Sequence, residues 1–486
     1  MIPRGQYSLA GAGGQRYWAC RAAARLARRR DAGAGRNGRK AETWLTLAGR
    51  AALVGGLAVL GASCGGEGAR APAARGAGAG SGAAAASFAD LDRRARAGER
   101  LSVVFFGASL TWGANATDPQ QTSYRALVAK RLEAKYPEAR WRFHDAAIGG
   151  TGSQPGLFRL DRDVLARRPD LVFLDFSAND DIYAADEETL ASYEAIVRRI
   201  VLEARCPVVL AIFPFQWNVA AANLDAMKRR AAHLAIGGAY GAPVGDAIAL
   251  AVDRVRRGKT TIEQIWPVDG VHPCDAGYVL FADAAWGAFE EGVRAKAVCR
   301  APETMLHAAT YMTSARVRVS SLGPLPAGWR VGRPHVVSAY FDMLMSRWLD
   351  DETIASNRTE VADAEGKKQS VPQEVGRLRA RFRGSMVMLF GESTPESARY
   401  RAYVDGKLVE HKSNDGKETL TEFDGGSLGK LVKGNAHLVQ VIATGLDPAA
   451  EHTLEIEPVF EGQGAQELRL ESICVAGDGA GVQRAE

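Results

Sequence analysis

The chain has 486 residues, 47% of them hydrophobic and 24% charged, which is long enough for two folded domains and has the composition of an ordinary globular protein. Its formal net charge of +5 is unevenly spread: residues 1–64 hold eleven Lys/Arg against Asp31 and Glu42, whereas the remainder carries 50 basic and 54 acidic residues. The part able to fold is therefore mildly acidic, which removes the electrostatic motive for nucleic-acid binding, and no segment forms the long apolar run of a multi-span membrane protein.

In chain order, the basic leader comes first. Arg36, Arg39, Lys40 and Arg50 precede the apolar stretch from Ala51 to Leu60, which has the length of a signal-peptide hydrophobic region and is too short to span a bilayer comfortably. Gly61-Ala62-Ser63-Cys64 follows and resembles the bacterial lipobox, in which the Cys is lipidated, although Gly61 occupies the usual Leu position. The expectation is an exported chain with Cys64 as lipid anchor, or a plain signal peptide with Cys64 incidental. Residues 65–87 are Gly/Ala-rich, cannot bury a core and read as a flexible tether.

Residues 88–300 alternate short apolar runs with helical patterns, which points to an α/β fold with a parallel sheet. Leu101 to Phe106, Leu171 to Phe176 and Pro207 to Phe213 are apolar on both faces, as strands buried on both sides are. Tyr124, Leu127, Val128 and Leu132 predict a helix that stops before Pro137, and further helical periodicity runs over 187–204 and 220–235. From residue 301 onward the pattern changes to short runs bounded by Gly, Asp and Pro. Among them are 377–381, 386–390, 399–404, 438–443 and 452–458, which predict an all-β sandwich.

Polar motifs fall after the predicted strands, where functional groups of open α/β sheets collect. Gly107-Ala108-Ser109-Leu110-Thr111 sets a serine among small neighbours at a strand-to-helix turn, the setting in which a hydroxyl can protrude as a nucleophile if a base takes its proton. Asp269-Gly270-Val271-His272-Pro273 offers a carboxylate that can hold an imidazole by one nitrogen while the other faces the serine. In Ile148-Gly149-Gly150-Thr151 and Ser177-Ala178-Asn179-Asp180, a bare backbone amide at Gly150 and the side-chain amide of Asn179 are suited to stabilise an oxyanion. Each motif alone also reads as ordinary turn or cap chemistry, with Asp180 the better helix cap. Their order and company carry the argument.

These four stretches resemble blocks I, II, III and V of the SGNH hydrolases, the GDSL esterase/lipase family, over roughly Leu101 to Ala297. The resemblance implies a three-layer flavodoxin-like parallel sheet, a Ser109–His272–Asp269 triad, and an oxyanion hole formed by Ser109, Gly150 and Asn179, with no cofactor and no metal. The chain departs from the pattern at Ala108, where the motif name expects Asp, and at Ser177, where Gly is usual; Asp145 stands where many members place an Asn. Members with Gly or Ala before the serine resemble polysaccharide deacetylases, so the implied partner is an acylated polysaccharide. A lipase, lysophospholipase or thioesterase, an acyltransferase and an idle glycan-binding protein remain open alternatives. His144 has no cluster of metal-binding residues around it in the sequence.

The later segments, including Phe382 to Leu389, Tyr400 to Lys407 and Gly445 to Leu454, resemble the jelly-roll domain attached to bacterial carbohydrate acetylesterases. Trp329, Tyr340 and Trp348 could present sugar platforms or fill the core, and Trp112, Phe215 and Trp217 could line the pocket or pack inside. Cys206, Cys274, Cys299 and Cys474 allow three pairings or four reduced thiols, and a bond at Cys274 would brace the loop of His272.

Overall fold

The computed structural model describes residues 86–485 apart from residue 222, 336–350, 414–415 and 463. The leader, the tether up to residue 85, Cys64, Tyr340 and Trp348 lie outside the described residues; the last two tether residues, Ala86 and Ser87, are not loose but pair with Val298 and Cys299 as a short antiparallel strand, and Ser87 caps the helix that follows. Residues 85–486 belong to one compact unit.

Five parallel strands, β1 (Arg100–Gly107), β2 (Arg140–Ala147), β3 (Leu171–Asp175), β4 (Val208–Ile212) and β5 (Val244–Asp246), form a sheet in the order β2-β1-β3-β4-β5. This is the flavodoxin-like order, with its switch point beside β1. All five residues of both β3 and β4 are buried, as expected of central strands covered on two faces. Edge strand β2 instead alternates exposed and half-buried residues along Arg140-Trp141-Arg142-Phe143, so no continuous apolar run marks it. β5 has only three residues.

Among the described residues, ten helices accompany this sheet: α1 (Phe88–Arg96), α2 (Ser109–Trp112), α3 (Tyr124–Lys135), α4 (Ser153–Asp163), α5 (Glu187–Arg199), α6 (Gln216–Ala221), α7 (Lys228–Tyr240), α8 (Ala247–Arg256), α9 (Ile262–Ile265) and α10 (Asp275–Arg294). Ser123 caps α3 by accepting from the amide of Ala126, and the helix ends at Lys135 before Pro137. The periodic stretch 187–204 is helical to Arg199 and then loosens into a π-turn closed by Arg205 at φ 54°. The single helix expected over 220–235 is broken. The Asn223 side chain accepts from the amide of Ala226 and starts a short separate turn, after which α7 runs to Tyr240.

Among the described residues, the C-terminal region is built on two large antiparallel sheets, with two small two-stranded ones beside them. The first joins β6 (Ser314–Arg318), β7 (Trp329–Gly332), β8 (Glu352–Ser356), β10 (Met386–Ser393), β12 (Ala436–Ala443) and β14 (Glu467–Ala476); its main path is β12-β10-β14-β8-β7, with β6 also on β14. The second is built on β11 (Arg399–Val404), β13 (His452–Val459), β9 (Leu378–Arg383) and β15 (Gly481–Arg484), in that spatial order. Period-2 alternation gives the first sheet two buried faces. Val387, Leu389, Ile473 and Val475 pack with the second sheet, whereas Met386, Met388, Phe390, Cys474 and Ala476 join the core of the α/β region. Phe158 of α4 meets Phe390 edge-on at 6.4 Å. The sandwich is thus packed directly onto the helix that follows the Gly149–Gly150 loop.

Candidate active site

β1 ends at Gly107, where a Cβ would stand 2.2 Å from Thr111 Oγ1 and 2.5 Å from the carbonyl oxygen of Asp175. Only glycine lets the chain turn there directly into α2, whose first residue is Ser109. Gly113, at φ 100°, closes this single turn. The serine is buried, and its Oγ lies 3.0 Å from His272 Nε2.

His272 is presented by a loop that wraps around Asp269. Asp269 Oδ1 accepts from the amides of Val271 (2.8 Å) and His272 (2.7 Å), so the three-residue spacing is used by the backbone as a turn. Its Oδ2 lies 3.7 Å from His272 Nδ1 and accepts from Asn115 Nδ2 at 2.8 Å. A strap from the residues after α2 steadies the loop: Thr117 N and Thr122 Oγ1 donate to Asp275 at 2.9 and 2.8 Å, and Tyr278 Oη donates to the carbonyl of Ala114 at 2.7 Å. On the other side the amide of Gln216 donates to the carbonyl of Gly270 at 2.8 Å.

Burial alone would raise the pKa of Asp269, but the His272 ring and the two loop amides outweigh it and hold the carboxyl well below the usual range. Burial lowers His272 against the opposing pull of Asp269, so the imidazole is neutral at neutral pH. A neutral ring beside a serine hydroxyl and an ionised carboxylate can accept the serine proton and be stabilised once it carries it.

Gly107 lies level with Ala147 of β2 and Asp175 of β3, so the loops leaving all three strands emerge at one edge of the sheet. Gly150, at φ 74°, lies on the β2 loop and half-buried Asn179 on the β3 loop. Direct contacts join Ser109, His272 and Asp269; Gly150 and Asn179 flank them on the neighbouring loops. The expected cap at Asp180 takes an unforeseen form. Its carboxylate caps α4 across the gap between the loops, accepting from the amide of Ser153 at 3.0 and 3.2 Å.

Several supporting residues carry no sequence motif of their own. Ser177, the departure in the third block, donates through Oγ to Asp175 Oδ1 (2.9 Å) and accepts from the amide of Phe213 (3.0 Å), joining the ends of β3 and β4 as glycine could not. Fully buried Arg159 donates to the carbonyls of Ala146 (2.6 Å) and Gly107 (2.8 Å), bracing β1 against β2 below the serine. Asn115 is a non-glycine residue at φ 67°, a conformation Asn tolerates better than most, and this was its one faint signal in a Gly-Ala-Asn stretch. Burial pushes Asp175 up to about 7 and Asp180 up to about 6, the latter against the pull of Arg229.

Asp145 accepts from the amide of Ala147 at 3.0 Å and pairs with Arg125 at 3.4 Å. His144 is an interior residue of β2, and Trp329 is a core residue whose Nε1 donates to the carbonyl of Gly376 at 2.8 Å. Trp112 is half-buried, and the half-buried Phe215 and Trp217 rings lie 4.7 Å apart beside the Gly270 loop. Cys206, Cys274, Cys299 and Cys474 are all free thiols, and the Cys274 thiol donates to the carbonyl of Gln264 instead of bracing the loop through a disulfide.

Residues 105–280 match the model of the GDSL-like lipase/acylhydrolase family. An acetylxylan esterase of Geobacillus stearothermophilus is 28% identical over 210 residues, which cover 39% of this chain and 92% of that protein. The crystal structure of a two-domain esterase active on acetylated mannans, co-crystallised with mannopentaose, superposes with a TM-score of 0.58 at 21% identity, covering 82% of this chain and 95% of that one. A second crystal structure of a two-domain esterase active on acetylated mannans gives the same TM-score at 22% identity, over 81% and 95%. At these identities the likeness to the solved structures is one of fold, and it extends through both the α/β region and the sandwich.

Proposed function

We propose that the chain is a carboxylic ester hydrolase of the GDSL-like lipase/acylhydrolase family, which its residues 105–280 match, and that it removes O-acetyl groups from a polysaccharide by a Ser109–His272–Asp269 triad. The observation that carries the mechanism is the 3.0 Å approach of His272 Nε2 to Ser109 Oγ, with the Asp269 carboxylate behind Nδ1. The choice of acetyl and glycan is supported by the similarity to an acetylxylan esterase and by the shared two-domain fold.

Ser109 Oγ attacks the ester carbonyl carbon while His272 Nε2 takes its proton, and the carbonyl electron pair moves onto oxygen. The Ser109 and Gly150 amides and the Asn179 side chain stabilise that oxyanion. Collapse of the intermediate breaks the bond to the sugar oxygen, which takes the proton from Nε2 and leaves as a free hydroxyl. Water then attacks the acetyl-serine, again giving its proton to Nε2; acetate departs and Ser109 recovers its proton. Asp269 keeps the ring in one tautomer and stabilises the imidazolium. The proposal includes division into a leader to residue 64, a tether to 87, a hydrolase over 88–300 and a sandwich over 301–486, with export and anchoring through Cys64.

The test is hydrolysis of p-nitrophenyl acetate, butyrate and octanoate by the full chain and its Ser109→Ala variant, followed by acetate release from acetylated xylan and mannan. Activity confined to short acyl chains, and reduced ~10⁵-fold or more by the substitution, is expected. A preference for octanoate would instead assign the site to a lipase.

A further inference from the structure

We infer that Asp180 is a positioning residue for the oxyanion hole, its carboxylate tying the loop that carries Asn179 to the loop that carries Gly150. The inference rests on the esterase reading above and adds to it the element that sets the two donors relative to each other. An oxyanion hole assembled from separate strands needs such a tie, because a donor displaced by a few tenths of an ångström loses much of its value at the transition state.

The geometry places a single side chain across the gap. Asp180 directly follows Asn179, and its own amide donates to the carbonyl of Phe176 at 3.1 Å, so the turn carrying Asn179 and the carboxylate move as one piece. Both carboxylate oxygens accept from the amide of Ser153, the first residue of α4 and three residues beyond Gly150. Ser153 is held in turn from below, where its Oγ lies 2.9 Å from the carbonyl of Thr189 and 2.8 Å from Ser192 Oγ. Gly152 lies at the crossing point: a Cβ there would stand 2.1 Å from Asp180 Oδ1. Any side chain at 152 would displace either the carboxylate or the β2 loop.

A simple α4 cap would serve equally well if contributed by residue 152, next to the helix. Here that residue has no side chain and the cap arrives from the neighbouring strand's loop, which couples two loops where a local cap would couple none. The charged and titratable groups around Asp180 are Arg229 of α7, whose Nη2 pairs with Asp186 at 2.8 Å; Asp186 itself; Asp175 at the end of β3; and Tyr193 of α5. Burial and the Asp186 carboxylate resist the charge on Asp180 while Arg229 and the Ser153 amide favour it, so the tie weakens by protonation when pH falls through about 6.

Asp180→Asn is a permanently neutral stand-in for the protonated form, and Gly152→Ala attacks the same contact from the opposite loop. Measured on the full chain with p-nitrophenyl acetate, each is expected to lower kcat ~10-fold at pH 8 with KM within about twofold, because the donors act mainly on the transition state. The wild-type to Asp180→Asn ratio of kcat is expected to fall from ~10 at pH 8 towards 1 below pH 6. The double variant is expected to lose ~10-fold and not ~100-fold, since the second change removes a contact already lost. Thermal unfolding of all four proteins checks that each is folded. A ratio independent of pH, or losses that multiply in the double variant, would show that Asp180 only supports α4 and would overturn the inference. Ser109→Ala separates this from failure of the esterase reading. Undiminished activity in that variant rejects the reading and the inference together, whereas an inactive Ser109→Ala beside an Asp180→Asn with wild-type kcat rejects the inference alone.

Discussion

The Ser109 end of the parallel sheet and the inner sheet of the sandwich both draw carboxylates away from water, and they differ in how completely each one is met by partners. Beside Ser109, three carboxylates are each met by donors. Asp269 receives two loop amides and the amide of Asn115, Asp175 receives the amide and hydroxyl of Ser177, and Asp180 receives the amide of Ser153. In the sandwich, Glu352, Glu392 and Glu471 face two arginines. Glu392 pairs with Arg469 at 2.7 Å, with Asn435 and His335 also donating, and Glu471 pairs with Arg316 at 2.7 Å. Glu352 is left over, fully buried with neither oxygen hydrogen-bonded among the described residues, and burial together with its carboxylate neighbours pushes it well above the usual range. All but the half-buried Asp269 are buried. The donors and cations at each carboxyl set how far it is pushed: Asp269 is held below the usual range, Asp180 and Asp175 are pushed up to about 6 and about 7, and Glu352 becomes a neutral group whose ionisation would cost stability.

Three substitutions sharpen this contrast. The largest effect is expected for Asp269→Asn, which keeps an oxygen for the Val271 and His272 amides but can no longer fix the His272 tautomer; kcat for p-nitrophenyl acetate should fall ~10⁴-fold with thermal stability little changed. A loss below tenfold in steady-state kinetics would break the view that donors at this end keep a charge for use. Next comes Asn115→Ala, which removes one donor to the charged Asp269. A hydrogen bond of that kind is worth about 2 kcal/mol, so kcat should drop ~30-fold with KM unaffected, and an unchanged kcat would mean that the loop amides suffice alone.

The smallest effect is expected for Glu352→Gln and appears in stability. A carboxyl whose folded-state pKa lies above its unfolded value contributes fully below the unfolded pKa, near 4.5, and loses that contribution as pH rises. The wild-type unfolding temperature should therefore decline from about pH 5 to pH 8 more steeply than that of the variant, by up to roughly 1.4 kcal/mol per pH unit, or about 2–3 °C. Parallel curves from a thermal-unfolding series would show that Glu352 is solvated or paired in solution.

How far the site was legible depended on whether its parts are local in sequence. Leu101 to Phe106 and Leu171 to Phe176 announced strands because central parallel strands must be apolar on both faces. β2 did not, because an edge strand carries Arg140 and Arg142 on its open side. Met386 to Phe390 read as an ordinary sandwich strand; nothing in those residues states that Met386, Met388 and Phe390 would pack against the α/β core while Val387 and Leu389 face the other way.

The sequence by itself determined the chemical groups and their chain order: a serine after a buried strand, a bare glycine and an asparagine on the next two loops, and an aspartate three residues before a histidine. These follow from strand hydrophobicity and turn chemistry, which act over a few residues. Only the tertiary structure decided what holds those groups: Asn115 reaching Asp269 across 154 residues, Asp180 reaching Ser153 across 27, and Ser177 reaching Phe213 across 36. Such contacts depend on which loops the strand order β2-β1-β3-β4 brings to one edge of the sheet, and a hydrogen bond between loops leaves no periodicity in either of them.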